Sequence, residues 1–566
     1  MTMAIVAERT FVPPGPGSWF LDSTHWTRPV TCFSAEIFPE AFKRGFGESL
    51  RRYGSLLGYL EAGFVNGFTY LCARPVGVPR DAVGHPPKEV WEELARTHSE
   101  IRRRLATSPT VFERKLWRED LQRWDLEVKP AAIRAHLALL KIDPDTLDTT
   151  GVLEYLDRCR ENQIQGAYIH HLFNMPALLP VGDFLVRAQE WTGRPPAQLL
   201  GLLQGANPDP LGADQELEQL IDALQHEAAA QKVLTSTREP GEVVAALRSF
   251  PDEVGVLASA YFDRVAYRPV NGEDVGEPSV QELPELIVGA IRAALERVDT
   301  SPTNDLEHRT SEVRDAVPAR HRVAFDELLA EARATYRLRD ERGTYADLWA
   351  IGIMRRAILS AGRRLTARGR LMDPAHLVEA SYAELRSLVE SRDGPSGDEL
   401  AERARYRLEA RYANAPPFLG GEPGDSLPAE WLPPAAARLE RAMGVVVQAI
   451  FTAPQPRTEE RKVRGLGVSR GAYEGTARVI HGTEEFGRIE QGDVLVTNST
   501  TTAFNIVLPL LGAIVTDRGG LLSHAAIVAR EYGLPAVVGC TDATSVLPDG
   551  ARVIVDGTAG QAEVVA

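Results

Sequence analysis

Cysteine is scarce in this 566-residue sequence. Cys32, Cys72, Cys159 and Cys540 stand far apart and form no CxxC pair. That spacing excludes a disulfide framework and a cysteine zinc site, and it suits free thiols in a reducing compartment. Positive charge is short as well: 63 Lys and Arg against 78 Asp and Glu leave a net charge of −15. A phosphate-backbone surface needs the opposite balance, so nucleic acid is excluded as the main partner. No apolar run reaches membrane-spanning length, and the N-terminus lacks a signal-peptide pattern. A cytoplasmic protein with no membrane partner is expected. The 12 histidines are scattered, and no His, Asp or Glu group has ligand spacing, so no metal site is expected. A Walker-type loop is missing, as is a glycine-rich strand–loop–strand segment with suitable lysines. Without them the sequence offers no ATP site of its own. Internal repeats and sustained heptads are also absent, and residues 1–450 show no strand–helix alternation of the kind a barrel would need.

What is present is a chain of two characters. Its 44% hydrophobic content supports sizeable cores, and its length implies several domains or one large domain plus a small one. Residues 1 to about 455 read as mainly helical. From Asp347 to Arg368, Leu348, Ile351, Met354, Ile358, Ala361 and Leu365 recur every three or four positions, the stripe of a core-facing helix. Leu50–Leu60, Pro130–Leu140, Leu217–Val233 and Ala435–Phe451 also read as helices, with breaks near 74–86, 206–212, 268–284 and 414–434. A few strands are expected near the N-terminus. Residues 454–462, Pro-Gln-Pro-Arg-Thr-Glu-Glu-Arg-Lys, are polar, charged and broken by proline, as an exposed linker should be.

The most informative stretch is Thr516 to Gly539. Ala513-Ile514-Val515-Thr516 reads as a buried strand, and Gly519-Gly520 breaks it. A short helix starts at His524, with Ala525, Val528 and Ala529 on one face, and Gly533-Leu534-Pro535 stops it. Ala536-Val537-Val538 is the next strand. A helix head leaves free N–H groups and partial positive charge, which bind phosphate and disfavour an imidazolium. Neutral imidazole is the nucleophile that phosphoryl transfer requires, and Ser523 is placed to orient the ring or to bond a phosphate oxygen. The same pattern also fits an ordinary turn capped by Ser523, with His524 a bystander.

This stretch resembles the phosphohistidine signature of the swivelling domain in phosphoenolpyruvate-utilising enzymes, a family that includes rifampicin phosphotransferase and the phenylphosphate synthase system. The resemblance matches His524 to the phosphorylated histidine, and Gly519, Gly520 and Ser523 to its supporting loop. It covers roughly the last hundred residues, from Gly467, Ser469, Gly471 and Gly475 to Asp556, Gly557 and Gly560. Thr500-Thr501-Thr502-Ala503-Phe504 departs from the family, which often has a proline and a tryptophan there. Weaker likenesses to the middle domain of the rifampicin phosphotransferase type fall at Gly17–Val30, Val65–Tyr70, Leu203–Gly205 and Tyr336–Glu341.

The resemblance implies a multidomain protein. A large, mainly α-helical substrate domain (1–455) precedes a linker (456–464) and a small α/β (β/β/α) swivelling domain (465–566). It implies a phosphotransferase that carries a phosphoryl group on His524 and passes it to a hydroxyl or enol of a small molecule. Loading would come from a separate ATP-grasp protein that supplies ATP and Mg²⁺, no cofactor being held by this chain. A phosphorylation-driven dehydratase and a non-catalytic phosphocarrier remain open alternatives. In the helical domain, Arg337 and Arg339 suit a phosphoryl or carboxylate clamp, or pair with Asp340 and Glu341 on a solvated face. His170 and His171 suit a base for the acceptor hydroxyl, or a structural pair. His25 and Arg28 read as junction packing and an ion pair.

Overall fold

The computed structural model describes residues 9–22, 25–26, 28–209, 212–270, 272–296, 303–451, 461–500, 504–505 and 507–565. The chain begins with a four-stranded antiparallel sheet in the order β2-β3-β1-β4, made of β1 (Trp19–Leu21), β2 (Leu57–Val65), β3 (Phe68–Pro75) and β4 (Phe418–Leu419). The segment Val65–Tyr70 is the bend of a hairpin, where Asn66 and Gly67 both take positive φ, 54° and 78°. That pair makes the tight turn whose twist matches antiparallel strands. The sheet lays Ala62 and Leu71 against Phe42 of the Cys32–Tyr53 helix.

That helix corrects one expectation. Leu50–Leu60 is not a helix, because Gly54 at φ 71° caps the helix with its N–H on the Leu50 and Arg51 carbonyls. Leu57 then opens β2. The apolar run is continuous across the break, so periodicity alone could not place it. Leu217–Val233 is likewise two helices, Asp214–His226 and Ala228–Leu234, split at Glu227, whose carboxylate caps the second. The helices over 130–140 and 435–451 appear as Lys129–Leu140 and Pro434–Phe451. The stripe from Leu348 to Leu365 is buried on the Trp349–Ala367 helix. Its first turn differs from the expectation: Gly343–Leu348 is π-helical, and Asp347 is buried in it.

The C-terminal region is an eight-stranded sheet in the order β5-β12-β11-β7-β8-β9-β10-β6. Its strands are β5 (Lys462–Arg464), β6 (Leu466–Ser469), β7 (Ala472–Ile480), β8 (Asp493–Thr497), β9 (Leu511–Thr516), β10 (Ala536–Val538), β11 (Arg552–Asp556) and β12 (Gln561–Val564). Strands β7 to β10 run parallel, and the His524–Tyr532 helix crosses from β9 to β10. Both faces of the parallel part are covered, which is why β8 is buried at every position. Val494 and Val496 face one core with Ala513, Val515 and Val553. Leu495 and Ile514 face another, which continues into Leu286, Ile287 and Phe262 of the helical region. The small domain is therefore docked through a shared apolar core. Of the expected linker, residues 456–460 lie outside the described residues, and Lys462–Arg464 is strand β5.

Candidate active site

Gly519 takes φ 119°, which a side chain rarely adopts, and a Cβ there would meet Ser523 Oγ at 2.8 Å. Gly520 lies so close to the Pro434–Phe451 helix that a Cβ would fall 2.1 Å from the Ala449 carbonyl oxygen. The next turn fixes this approach, since Leu522 N–H donates to that same carbonyl at 3.2 Å. The two glycines thus press the head of the His524–Tyr532 helix against the helical domain. Farther along, Arg530 donates to the Tyr336 hydroxyl at 2.9 Å, and Glu531 accepts from the Gly205 N–H at 2.7 Å.

The result is a cavity of about 780 Å³ between the two regions. Ser499, Thr500, Arg518, Gly519, Ser523 and His524 form one wall. The opposite wall brings together Asp22, His25, His170, Glu273, Arg339 and Arg342. Phe38, Phe42, Leu60, Leu71 and Met443 make the remaining lining largely apolar.

The His524 ring is held at both nitrogens. Thr500 Oγ1 is 2.9 Å from Nδ1, and Asn505 Oδ1 is 2.8 Å from Nε2. A neutral ring satisfies both as the Nε2–H tautomer, with Nε2–H donating to Asn505 and the Thr500 hydroxyl donating to Nδ1. Burial and the Arg339 charge push the ring's pKa down to about 3. His524 is therefore uncharged near neutral pH. Ser523 sits at the N-cap position of the His524 helix but makes no capping bond, and its Oγ is buried without a partner among the described residues. A hydroxyl in that state beside His524 is a ready donor to an incoming oxyanion.

The residues expected in the helical domain divide. Arg337 is spent on Asp125, at 2.6 Å, and on Glu341, at 2.8 Å, and it does not line the cavity. The structural alternative holds for it. Arg339 does line the cavity and makes no hydrogen bond or ion pair within the described residues. An arginine so placed, with its charge felt at the His524 ring, suits an anion. His170 and His171 both line the cavity and stack on each other at 4.5 Å. His171 is wedged edge-on against Phe42 and Phe38. Burial and neighbouring positive charge hold both rings well below the usual histidine range.

His25 and Arg28, read from the sequence as junction packing and an ion pair, both find acidic partners. His25 Nδ1 is 2.7 Å from Asp22 Oδ2, and Asp22 is buried. Burial works against the charged ring, but the Asp22 carboxylate outweighs it, so His25 is raised. Arg28 approaches Glu277 at 3.9 Å. No metal-ligand group was expected from sequence spacing, yet His170, Glu273 and Asp347 bring donor atoms within 4.8 Å of one another. Sequence spacing could not show this, since the three come from separate segments. Thr500 carried a faint signal as part of the threonine run after β8, and residues 501–503 of that run lie outside the described residues.

Residues 489–560 match the mobile domain of phosphoenolpyruvate-utilising enzymes. Residues 178–360 match the fourth domain of rifampicin phosphotransferase, a span that takes in Glu273, Arg339 and Asp347. Among relatives, a rifampicin phosphotransferase from a Streptomyces species is 29% identical over 319 residues, 54% of this chain and 34% of its own. Phosphoenolpyruvate synthase of Escherichia coli is 50% identical over 97 residues, 17% of this chain and 12% of its own. Chondramide synthase of Chondromyces crocatus is 29% identical over 466 residues, 78% of this chain and 12% of its own. The chain thus spans about a third or less of the length of these relatives. The mobile domain and the mainly helical region before it account for the fold. Among the described residues no helix is long and apolar enough to cross a membrane.

Proposed function

We propose that this protein is a phosphotransferase component that carries a phosphoryl group on His524 and delivers it to a hydroxyl of a small molecule held in the cavity. The observation that carries this reading is the placement of a neutral His524 opposite the uncommitted Arg339 across a cavity of about 780 Å³. A pure phosphocarrier needs no such large, mainly apolar cavity beside its histidine, so the cavity favours the enzyme.

Loading requires a ring nitrogen with a free lone pair. The Thr500 hydroxyl can accept from Nδ1–H as readily as it donates to Nδ1, and that reversal frees the Nε2 lone pair. Nε2 then attacks the terminal phosphorus of ATP on a separate ATP-grasp protein that also supplies Mg²⁺, and ADP leaves. The loaded domain returns to the docked position seen here. There Arg339, the Ser523 hydroxyl and the first N–H groups of the His524 helix surround the phosphoryl oxygens. The acceptor oxygen attacks phosphorus, the P–N bond breaks with its electrons returning to the imidazole, and His25 takes the acceptor's proton. Asp22 orients His25 and stabilises its charged form, the arrangement a general base needs. The apolar lining suits an acceptor that is largely hydrocarbon or aromatic around its reacting hydroxyl.

Intact-mass measurement with ATP, Mg²⁺ and the ATP-grasp protein tests the reading. One added phosphoryl group is expected on the wild-type chain and none on His524→Ala. A phosphoryl group on His524→Ala, or turnover by that variant, ends the proposal.

A further inference from the structure

Three donors from distant parts of the sequence meet at the helical side of the cavity, where His170 and Glu273 line it and Asp347 lies behind them. His170 comes from the last turn of the Thr149–Leu172 helix and Asp347 from the π-helical turn Gly343–Leu348. Glu273 comes from the loop between the Asp252–Val265 and Pro284–Glu296 helices. Their donor atoms lie within 4.8 Å of one another, and His170 Nδ1 is 3.3 Å from Asp347 Oδ2. These are interior groups, with side-chain exposure of 12% for His170 and 4% for Asp347.

Two carboxylates side by side, Asp347 buried and Glu273 partly buried, are costly without a compensating positive charge. Burial raises both carboxyls above the usual range, and the Asp347 charge adds to the shift at Glu273. The fixed cation facing them is Arg342, but its guanidinium bonds elsewhere, to the His170 carbonyl at 2.9 Å and to Asn174 Oδ1. Glu273 takes no hydrogen bond within the described residues. A further observation bears on the site. His171 stacks on His170, is 8% exposed and lines the same cavity, and its Nε2 has no partner among the described residues. Its Nδ1 is 3.4 Å from the Asn174 amide nitrogen, which leaves Nε2–H as a buried donor that can serve a ligand oxygen. A water or phosphoryl oxygen on a bound cation is such an acceptor.

We propose that His170, Glu273 and Asp347 bind a divalent cation, with their one imidazole and two carboxylates favouring Mn²⁺ or Zn²⁺ over Mg²⁺. A π-helical turn at one ligand agrees with this, since such turns gather at functional sites. The cation would share the cavity with His524, and Arg339 lies near enough to act on both the His524 and His170 rings. Its part in phosphoryl transfer, holding a phosphoryl or acceptor oxygen, rests on the function proposed above. The binding site itself does not.

The test is titration of the full chain with Mn²⁺, following the free-ion paramagnetic signal, together with melting curves with and without the metal. One Mn²⁺ per chain is expected, with a raised melting temperature. Glu273→Gln and Asp347→Asn remove a buried charge and should fold at least as well, but bind Mn²⁺ at least about tenfold more weakly and show no metal-induced shift. His524→Ala should bind Mn²⁺ like the wild type, which separates this result from any failure of the phosphoryl reading. Wild-type binding no tighter than in Glu273→Gln or Asp347→Asn overturns the site and leaves the two carboxylates sharing a proton.

Discussion

The two walls of the cavity are built in opposite ways. The His524 wall comes mostly from one continuous stretch, where strand β9, two glycines and a helix head arrange the histidine and its neighbouring hydroxyl. The facing wall draws Asp22, His25, His170, Glu273, Arg339 and Arg342 from across more than three hundred residues. The carrier's task is the same whatever the acceptor: offer a neutral ring and hold an anion beside it. Backbone geometry local to one turn can do that. The acceptor's wall must fit a molecule, and tertiary packing sets its shape. Chemistry is therefore local on one side and assembled on the other.

The sharpest way to break this contrast is to remove one group from each wall and ask which step fails. His524→Ala should abolish both loading and transfer, a loss of about 10³-fold or more, since the covalent intermediate cannot form. On the proposed function, Arg339→Met should leave loading by an ATP-grasp partner within about twofold, as that step would occur away from the cavity. Single-turnover transfer from the loaded chain should fall about 10²- to 10³-fold, the usual cost of losing one donor to a transferring group. Equal loss of both steps in Arg339→Met would show that the two walls do not divide the work.

The same contrast explains what could be read from the sequence. The strand–glycine–helix–strand unit around His524 was legible because each residue's role depends on near neighbours. Helix positions in the large region were legible where caps and periodicity agreed, as for Lys129–Leu140. They failed at Gly54, where the apolar pattern of a helix runs unbroken into that of a strand. Of the adjacent arginines, Arg337 and Arg339, only the second reaches the cavity. Nothing in the local pattern separates them, because the distinction is made by Asp125, more than two hundred residues away. Glu273 and Asp347 were invisible as partners for the same reason.

A smaller effect should come from the seam between the walls. Gly520 tolerates no side chain where the domain docks, because a Cβ would sit 2.1 Å from the Ala449 carbonyl. Gly520→Ala should loosen docking by about 1–3 kcal/mol, a typical cost of overpacking. It should slow transfer while sparing loading, and small-angle scattering should show a larger radius of gyration. A variant that transfers at the wild-type rate would mean that the docked arrangement is not the transferring one.

The smallest effect is the most specific to the state of His524. Its pKa is lowered to about 3 by burial and Arg339, whereas an exposed histidine titrates at its ordinary value of about 6.5. Between those values the unfolded chain binds a proton that the folded chain does not, so stability rises with pH through this window. The contribution is fully present above about pH 6.5 and is lost as the solution is acidified toward pH 3. From about pH 7 to about pH 5 the loss from this one group should reach about 2 kcal/mol. His136, His170 and His171 are lowered too and steepen the same slope, so the wild-type curve alone does not isolate His524. Urea unfolding of His524→Asn at both pH values does so by difference, because the variant lacks only this titration. It should lose less stability on acidification than the wild type, by about that amount. Parallel losses in the two chains would mean that the ring is solvated and protonates freely. The carrier wall would then owe its neutral histidine to solution pH and not to the partner wall pressed against it.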